Sequence, residues 1–184
     1  MKHARGETKQ LLLDTAKRLF TEGGYVSTTV RQIASEANLS TGTFYHFFES
    51  KEDLVIALCD TDADVYDLLD NLDEKVKEPM FHLTKLLHSY ADFWTHLGWG
   101  LGSQFILNVV PDLDAVTTVR SVQSFIEAAQ NAGTMNCKLT PKEATEYIFT
   151  NATGLLYKWI MLKGNYNLKR LSERFAPILL QGLM

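Results

Sequence analysis

Apolar residues recur at helical spacing through most of this chain, and no long run alternates polar with apolar as a strand would. From about Thr8 to Glu22, the positions Leu12, Ala16, Leu19 and Phe20 form one helical face, which Gly23-Gly24 ends. Thr29-Val30-Arg31-Gln32 is a capping-box pattern, and Val30, Ile33, Ala34 and Ala37 behind it make the buried side of a short helix. Asn38 follows where the chain must turn, and asparagine accepts the left-handed conformation better than any residue but glycine. Ser40 caps the next helix. There Phe44, Phe47 and Phe48 face inward at i, i+3, i+4, leaving Thr41, Thr43, Tyr45 and His46 outward. Ser50-Lys51-Glu52-Asp53 supplies a cap and early acids that suit the positive end of a helix dipole. The helix it starts is predicted to reach Asp73, with Leu54, Leu58, Val65, Leu68, Leu69 and Leu72 on its apolar side.

Pro79 opens a further helix to Leu97, with Leu83, Leu86, Leu87, Tyr90, Phe93, Trp94 and Leu97 in one arc. Thr84, Lys85, His88, Ser89, Asp92 and His96 lie opposite. The segment Gly98-Trp-Gly-Leu-Gly102 is predicted to break it as a flexible joint. It resembles a phosphate-binding glycine loop, but no strand precedes it. A short helix near Ser103–Val110 stops at Pro111, and another spans about Asp114–Ala132. Thr140 and Pro141 then start a helix to Lys163. Its second half, Leu155, Leu156, Tyr157, Trp159, Ile160, Met161 and Leu162, is apolar nearly all round, so both sides require cover. The last helix, Leu168–Leu183, offers Leu171, Phe175, Ile178, Leu179 and Leu183, with Pro177 expected to kink it. The pattern predicts an all-α chain of about nine helices. The last two read as half of a four-helix bundle completed by a second copy, or as helices central to a monomer core.

Composition narrows the functional classes. Apolar residues are 46% and charged residues 22% of 184, ordinary for a globular protein with a real core. The first residues are polar and carry no leader pattern, and no apolar stretch has the length of a membrane span, so a cytoplasmic location without membrane contact is expected. Cys59 and Cys137 have no CxxC or CxxH companion and read as buried, reduced thiols. Net charge is −4, against nonspecific coating of nucleic acid. Yet residues 1–51 sum to +2 and residues 52–184 to −6, as a DNA-binding head on an acidic body would. Asp60, Asp62, Asp64, Asp67, Asp70 and Asp73 alternate like a calcium loop but lack its glycine and closing Glu, so they read as a solvated helix face. No nucleophile elbow or metal-protease motif occurs. His88, Asp92 and His96, at i, i+4, i+8, are the one constellation that suggests a metal-dependent enzyme, and they lie on the polar arc. No metal and no cofactor is expected.

The segment LLLDTAKRLFTEGGYVSTTVRQIASEANLSTGTFYHFFESKEDL resembles the TetR family of bacterial transcriptional regulators. The specific elements are F-x-x-x-G-Y at Phe20–Tyr25, T-V-R-x-I-A at Thr29–Ala34, S-x-G-T-x-Y at Ser40–Tyr45 and F-x-S-K at Phe48–Lys51. The likeness covers about Lys9 to Leu58, and the rest matches only in layout. It implies a three-helix helix-turn-helix head over 1–51 and a regulatory body over 52–184 that binds ligand and dimerises. It also implies a homodimer on an inverted-repeat operator in double-stranded DNA, usually a repressor, released by a small-molecule effector. By position, Thr41, Thr43 and Tyr45 would meet bases or phosphates, with Ser40 and His46 beside them. Lys51 and Thr28, Thr29 or Arg31 would meet phosphates. Phe47 departs from the family's usual Tyr or His there, so His46 is expected to take some of that role.

A surface of hydroxyls, methyls and imidazole reads bases by single hydrogen bonds and thymine contact rather than by bidentate arginine. Lys2, His3 and Arg5 form a short arm suited to the minor groove, or an unstructured terminus. In the body, Tyr90, Phe93, Trp94, Trp99, Phe105, Phe125, Tyr147, Asn151 and Tyr157 are candidate pocket residues for a largely apolar effector; each also reads as plain core. Leu155, Trp159, Leu162, Leu171, Phe175, Ile178 and Leu179 are the candidate dimer contacts. The alternatives are a dimeric regulator without a small-molecule ligand, and the enzyme built on His88, Asp92 and His96.

Overall fold

Each amphipathic segment becomes a helix because its apolar stripe is buried against another. The computed structural model describes residues 2–60, 68–108 and 117–183, and these hold helices and no strand. In chain order the helices are α1 (Lys2–Gly23), α2 (Val30–Glu36), α3 (Thr41–Phe47), α4 (Lys51–Asp60) and α5 (Leu72–Lys75). They continue with α6 (Pro79–Leu97), α7 (Trp99–Asn108), α8 (Thr117–Asn131), α9 (Pro141–Met161) and α10 (Leu168–Gln181). Residues 68–69 are also helical.

The head is a small apolar knot. Leu12, Leu13, Ala16 and Phe20 of α1 meet Ile33 and Ala34 of α2, Phe44 of α3, Phe48 after it, and Leu54, Val55 and Leu58 of α4, all buried. Arg18 of α1 bridges Glu22 at 3.0 Å and Glu36 of α2 at 2.8 Å, pairs exposed enough to contribute little. In the body, α10 packs along α6, and α9 packs on α7, α8 and α10. Ser172 ties α10 to α6 by donating to the Leu87 carbonyl at 3.0 Å. Thr140 caps α9 as the pattern predicts, accepting from the Glu143 amide while Glu143 accepts from Thr140 N–H at 2.8 Å. Head and body meet where α1 touches α6 and α4 touches α7 and α8. Lys17 of α1 lies 5.9 Å from the Phe93 ring centroid across that boundary.

Several expected bounds shift for local reasons. The first helix starts at Lys2, so the Lys2–His3–Arg5 arm is helical rather than a free terminus. The fourth helix does not run to Asp73. Asn71 sits at φ 51, a left-handed residue that ends the helical stretch and starts α5 afresh. Val65, Asp62, Asp64 and Asp67 of that expected helix lie outside the described residues, as do Pro111 and Asp114. The glycine-rich segment is not a joint: Gly98 alone breaks the chain, at φ 84, and Gly100 and Gly102 lie within α7. Gly102 belongs there because a Cβ would come within 3.1 Å of Ile160. Pro177 sits within α10. Phe125 is fully buried in the body. Phe125→Ala is expected to cost about 3–5 kcal/mol and lower the thermal midpoint by roughly 10 °C, measured by calorimetry.

Candidate nucleic-acid interface

The capping pattern builds the outward surface of the head. Thr29 accepts from the Gln32 amide at 3.2 Å, and Gln32 accepts from the Thr29 N–H at 2.8 Å, completing the box that starts α2. The turn after α2 places Asn38 at φ 55, with its N–H on the Ser35 carbonyl at 3.0 Å and Leu39 N–H on the Ala34 carbonyl at 2.8 Å. Ser40 then caps α3, accepting from the Thr43 amide at 3.0 Å and sharing a hydroxyl hydrogen bond with Thr43 at 2.9 Å. With Phe44 and Phe48 pointed into the core, Thr41, Tyr45 and His46 come out exposed and Thr43 half-buried. Phe47 is half-buried against the core, with the His46 ring edge-on to it at 5.2 Å. Thr29, Arg31 and Ser40 are exposed on the same two-helix unit.

Two of the residues expected at phosphates make contacts within the head. Thr28 is 5% exposed, and its hydroxyl faces the carbonyls of Gly24 at 2.9 Å and Leu19 at 3.3 Å. The reason is the tight turn opened by Gly24 at φ 82, whose carbonyls need donors. Lys51 sends its ammonium to the carbonyls of Tyr25 and Thr28, both at 2.8 Å, and stands 3.9 Å over the Tyr25 ring. In this free form two of its three N–H donors thus serve the turn rather than solvent.

The residues that complete this arrangement escape sequence reasoning. Tyr25 is buried against Phe20, ring centroids 5.2 Å apart, and its hydroxyl donates to Glu52 at 2.7 Å. The signal available was a tyrosine after a double glycine with a carboxylate one residue past the helix start. Burial, then the hydrogen bond to Glu52, holds the Tyr25 phenol above its ordinary pKa. The Tyr25 hydroxyl, joined by main-chain hydrogen bonding, holds Glu52 below the usual carboxylate range. Desolvation lowers Lys51 while neighbouring Glu52 opposes it.

The body separates the residues expected to line one pocket. Trp94 and Phe125 are wholly buried core, and Tyr90 and Phe93 are half-buried around them. Tyr90 meets Trp94 at 6.0 Å and Phe149 at 6.5 Å, both edge-on. Trp99 is exposed, and its ring lies 3.5 Å from where a Cβ on Gly164 would sit. Tyr147, Asn151 and Tyr157 are exposed on α9. Periodicity distinguishes buried from unburied positions but not a cavity from an outer face. The Phe105 side chain lies outside the described residues. An apolar seam does run between α6, α9 and α10, lined by Leu87, Tyr90, Ala152, Leu155, Ser172 and Leu179 among others. A water-sized sphere reaches about 20 Å³ of it, room for roughly one water.

Of the expected dimer contacts, Leu162, Phe175 and Ile178 are exposed, at 49%, 42% and 65%, and Leu155, Leu171 and Leu179 are half-buried. Trp159 is not available to a partner. It is 4% exposed, with its indole N–H on the Tyr166 carbonyl at 3.1 Å. Nor do His88, Asp92 and His96 form a site. Asp92 pairs with Lys169 at 2.9 Å, and His96 Nδ1 turns back to the Asp92 carbonyl at 2.8 Å. No group of three His, Cys, Asp or Glu side chains among the described residues is placed to hold a metal ion. Cys137 is free and half-buried.

The head's geometry agrees with a family model described as bacterial regulatory proteins, tetR family, which matches residues 12–58. Over those residues the chain is similar to the TetR family. The HTH-type transcriptional regulator YerO of Bacillus subtilis (strain 168) is 43% identical over 54 residues, 29% of this chain and 19% of that protein. The chain thus spans about a fifth of the length of that relative. The fatty acid metabolism regulator protein of the same organism is 22% identical over 194 residues, covering 100% of this chain and 98% of that one. The crystal structure of Bacillus subtilis FadR in complex with stearoyl-CoA has TM-score 0.64 at 19% identity, covering 95% of this chain and 99% of that chain. Thermus thermophilus FadR in complex with lauroyl-CoA has TM-score 0.64 at 20% identity, covering 96% and 95%. The whole chain therefore has the fold of TetR-family regulators, a helix-turn-helix head on a helical body.

In this TetR-type head, Ser40→Ala is expected to cost about 1 kcal/mol of stability by uncapping α3. It would also free the Thr43 hydroxyl; chemical denaturation measures the first effect and the exchange of the Thr43 amide the second. Glu52, with its folded pKa depressed, contributes stability that is present above the ordinary carboxylate range and lost as pH falls through its folded value. The melting-temperature gap between the parent and Glu52→Gln is therefore expected to be largest at neutral pH and to close below about pH 4.5, the ordinary value for Glu. A gap that widens in acid contradicts the assignment.

Proposed function

We propose that the chain is a DNA-binding transcriptional regulator, and that its head, 1–51, reads an inverted repeat while its body, 52–184, joins two copies. The observation that carries this reading is a capped helix following a left-handed turn, with Thr41, Tyr45 and His46 exposed and aromatic residues locked beneath. Thr41, Thr43 and His46 read base edges through hydrogen bonds and methyl contact. Tyr45, Ser40, Thr29 and Arg31 hold phosphates and fix register. Lys51 contributes its remaining donor to the backbone, and Thr28 shapes the turn from within. The relatives are named as transcriptional regulators, several of them repressors, and repression of genes in the cytoplasm is the reading adopted.

The second copy covers the apolar surface of α9 and α10. Tyr157, Met161, Leu162, Phe175 and Ile178 leave large apolar area in solvent on these two helices, as a self-complementary interface would. For the effector, two neighbours of the same fold are described as complexes with long-chain acyl-CoA, and the apolar body here suits an acyl chain. The mechanism is differential affinity: acyl-CoA favours a body conformation in which α4 displaces the heads from groove positions about 34 Å apart. The closed seam between α6, α9 and α10 supports a second reading, a dimeric regulator that needs no small molecule.

Selection of binding sequences from random duplex DNA at fixed moderate salt tests the reading. The expected result is one inverted repeat with half-sites about 10–10.5 base pairs apart, or a multiple of that. Ile178→Asp is expected to yield monomers by sedimentation and to abolish tight binding to that repeat. Lack of any enriched sequence from folded protein would sink the DNA-binding assignment. Saturating stearoyl-CoA that leaves affinity for the repeat unchanged favours the ligand-free alternative.

A further inference from the structure

We propose that Tyr25 and Glu52 are positioning residues for DNA binding, forming a latch that makes the α1–α2 turn an extension of the first turn of α4. The inference rests on the DNA-binding reading above and assigns what ties the recognition surface to the body. Seven contacts converge on the turn. The buried Tyr25 hydroxyl donates to Glu52 at 2.7 Å. Lys51 covers the same ring at 3.9 Å and binds the carbonyls of Tyr25 and Thr28 at 2.8 Å each. Thr28 N–H closes the turn on the Tyr25 carbonyl at 3.3 Å. The Thr28 hydroxyl anchors it to Gly24 and Leu19.

The next residue, Thr29, is the cap of α2, and α3 packs on α2. The chain of contacts therefore runs without a gap from α4 through the turn to the exposed face of α3. α4 also packs on α7 and α8 of the body, so a shift of those helices acts on the latch. A carboxylate accepting from a phenol in a partly buried place is stronger than a neutral pair and has a fixed direction. It is suited to holding the turn at one distance from α4. Tyr25→Phe removes that bond and leaves the ring packed on Phe20.

The test uses the intact protein. Hydrogen exchange is followed at the amides of 26–32 without DNA, and affinity for the selected inverted repeat is measured at several salt concentrations. Tyr25→Phe and Glu52→Ala are each expected to accelerate exchange in 26–32 while α8 keeps parent rates, and to weaken repeat binding about tenfold. For Tyr25→Phe the salt slope stays at the parent value, because no cation is lost. Glu52→Gln, which keeps an acceptor, recovers most of the affinity, and the double variant Tyr25→Phe/Glu52→Ala binds no worse than either single one. Parent-like exchange and affinity in Tyr25→Phe, or losses that simply add in the double variant, overturn the latch. If the parent selects no DNA sequence, the DNA-binding reading falls by itself. The exchange measurement then still decides the latch, with accelerated turn amides supporting it and parent rates overturning it.

Discussion

Burial of Phe44 and Phe48 under the head is the constraint on which the proposed DNA-binding surface depends. α3 has seven residues, far too few to hold a helix in water by its own hydrogen bonds. Its stability must come from tertiary contact. Phe44 is wholly buried and Phe48 nearly so, their rings 5.5 Å apart, together with Phe20, Leu12 and Ile33. Each such side chain taken out of water contributes roughly 1.5–3 kcal/mol toward ordering the short helix. Once these rings are fixed, helical geometry leaves Thr41, Tyr45 and His46 no direction but outward. Substitution at Phe44 would therefore disorder that outward surface without touching a single residue of it.

The polar interactions of the head are organised around closing turns rather than gathering charge. Lys51 sits on main-chain carbonyls, Arg18 pairs with acids, and Lys9 lies 5.7 Å from the Phe48 ring centroid. A net charge of −4 gives the whole chain weak nonspecific attraction to phosphate. Discrimination must then come from fit, which places weight on how rigidly the turn and α2 hold α3. The body shows the complementary economy. Its aromatic residues mostly pack on one another, its seam is nearly closed, and its α9–α10 surface keeps large apolar side chains in solvent. Among the described residues, a molecule that enters the seam between α6, α9 and α10 must separate helices that are in contact here.

The helical class, the capped starts of α2, α3 and α9, the left-handed turn at Asn38 and the outward set on α3 were all legible in the residues. These features are local: a cap, a glycine stop or an i, i+4 stripe acts within one or two turns, so spacing is sufficient to read it. The TetR likeness was legible for the same reason, since its elements are short and ordered. What spacing could not decide was which neighbour each side chain would meet. The TetR likeness placed Thr28 and Lys51 at phosphates, and spacing gave no sign that carbonyls of the turn after Gly24 hold both. The Tyr25–Glu52 bond joins residues 27 positions apart, with nothing in either segment to announce the other. Trp159 and Tyr157 belong to the same apolar run, yet one is buried against the loop at Gly164 and Tyr166 and the other faces solvent. Local spacing thus determined the elements and the residues the head offers to a groove, whereas only the packing of α1 against α4 and of α9 against α10 decided which polar groups are committed inside and which apolar surface is left for a partner.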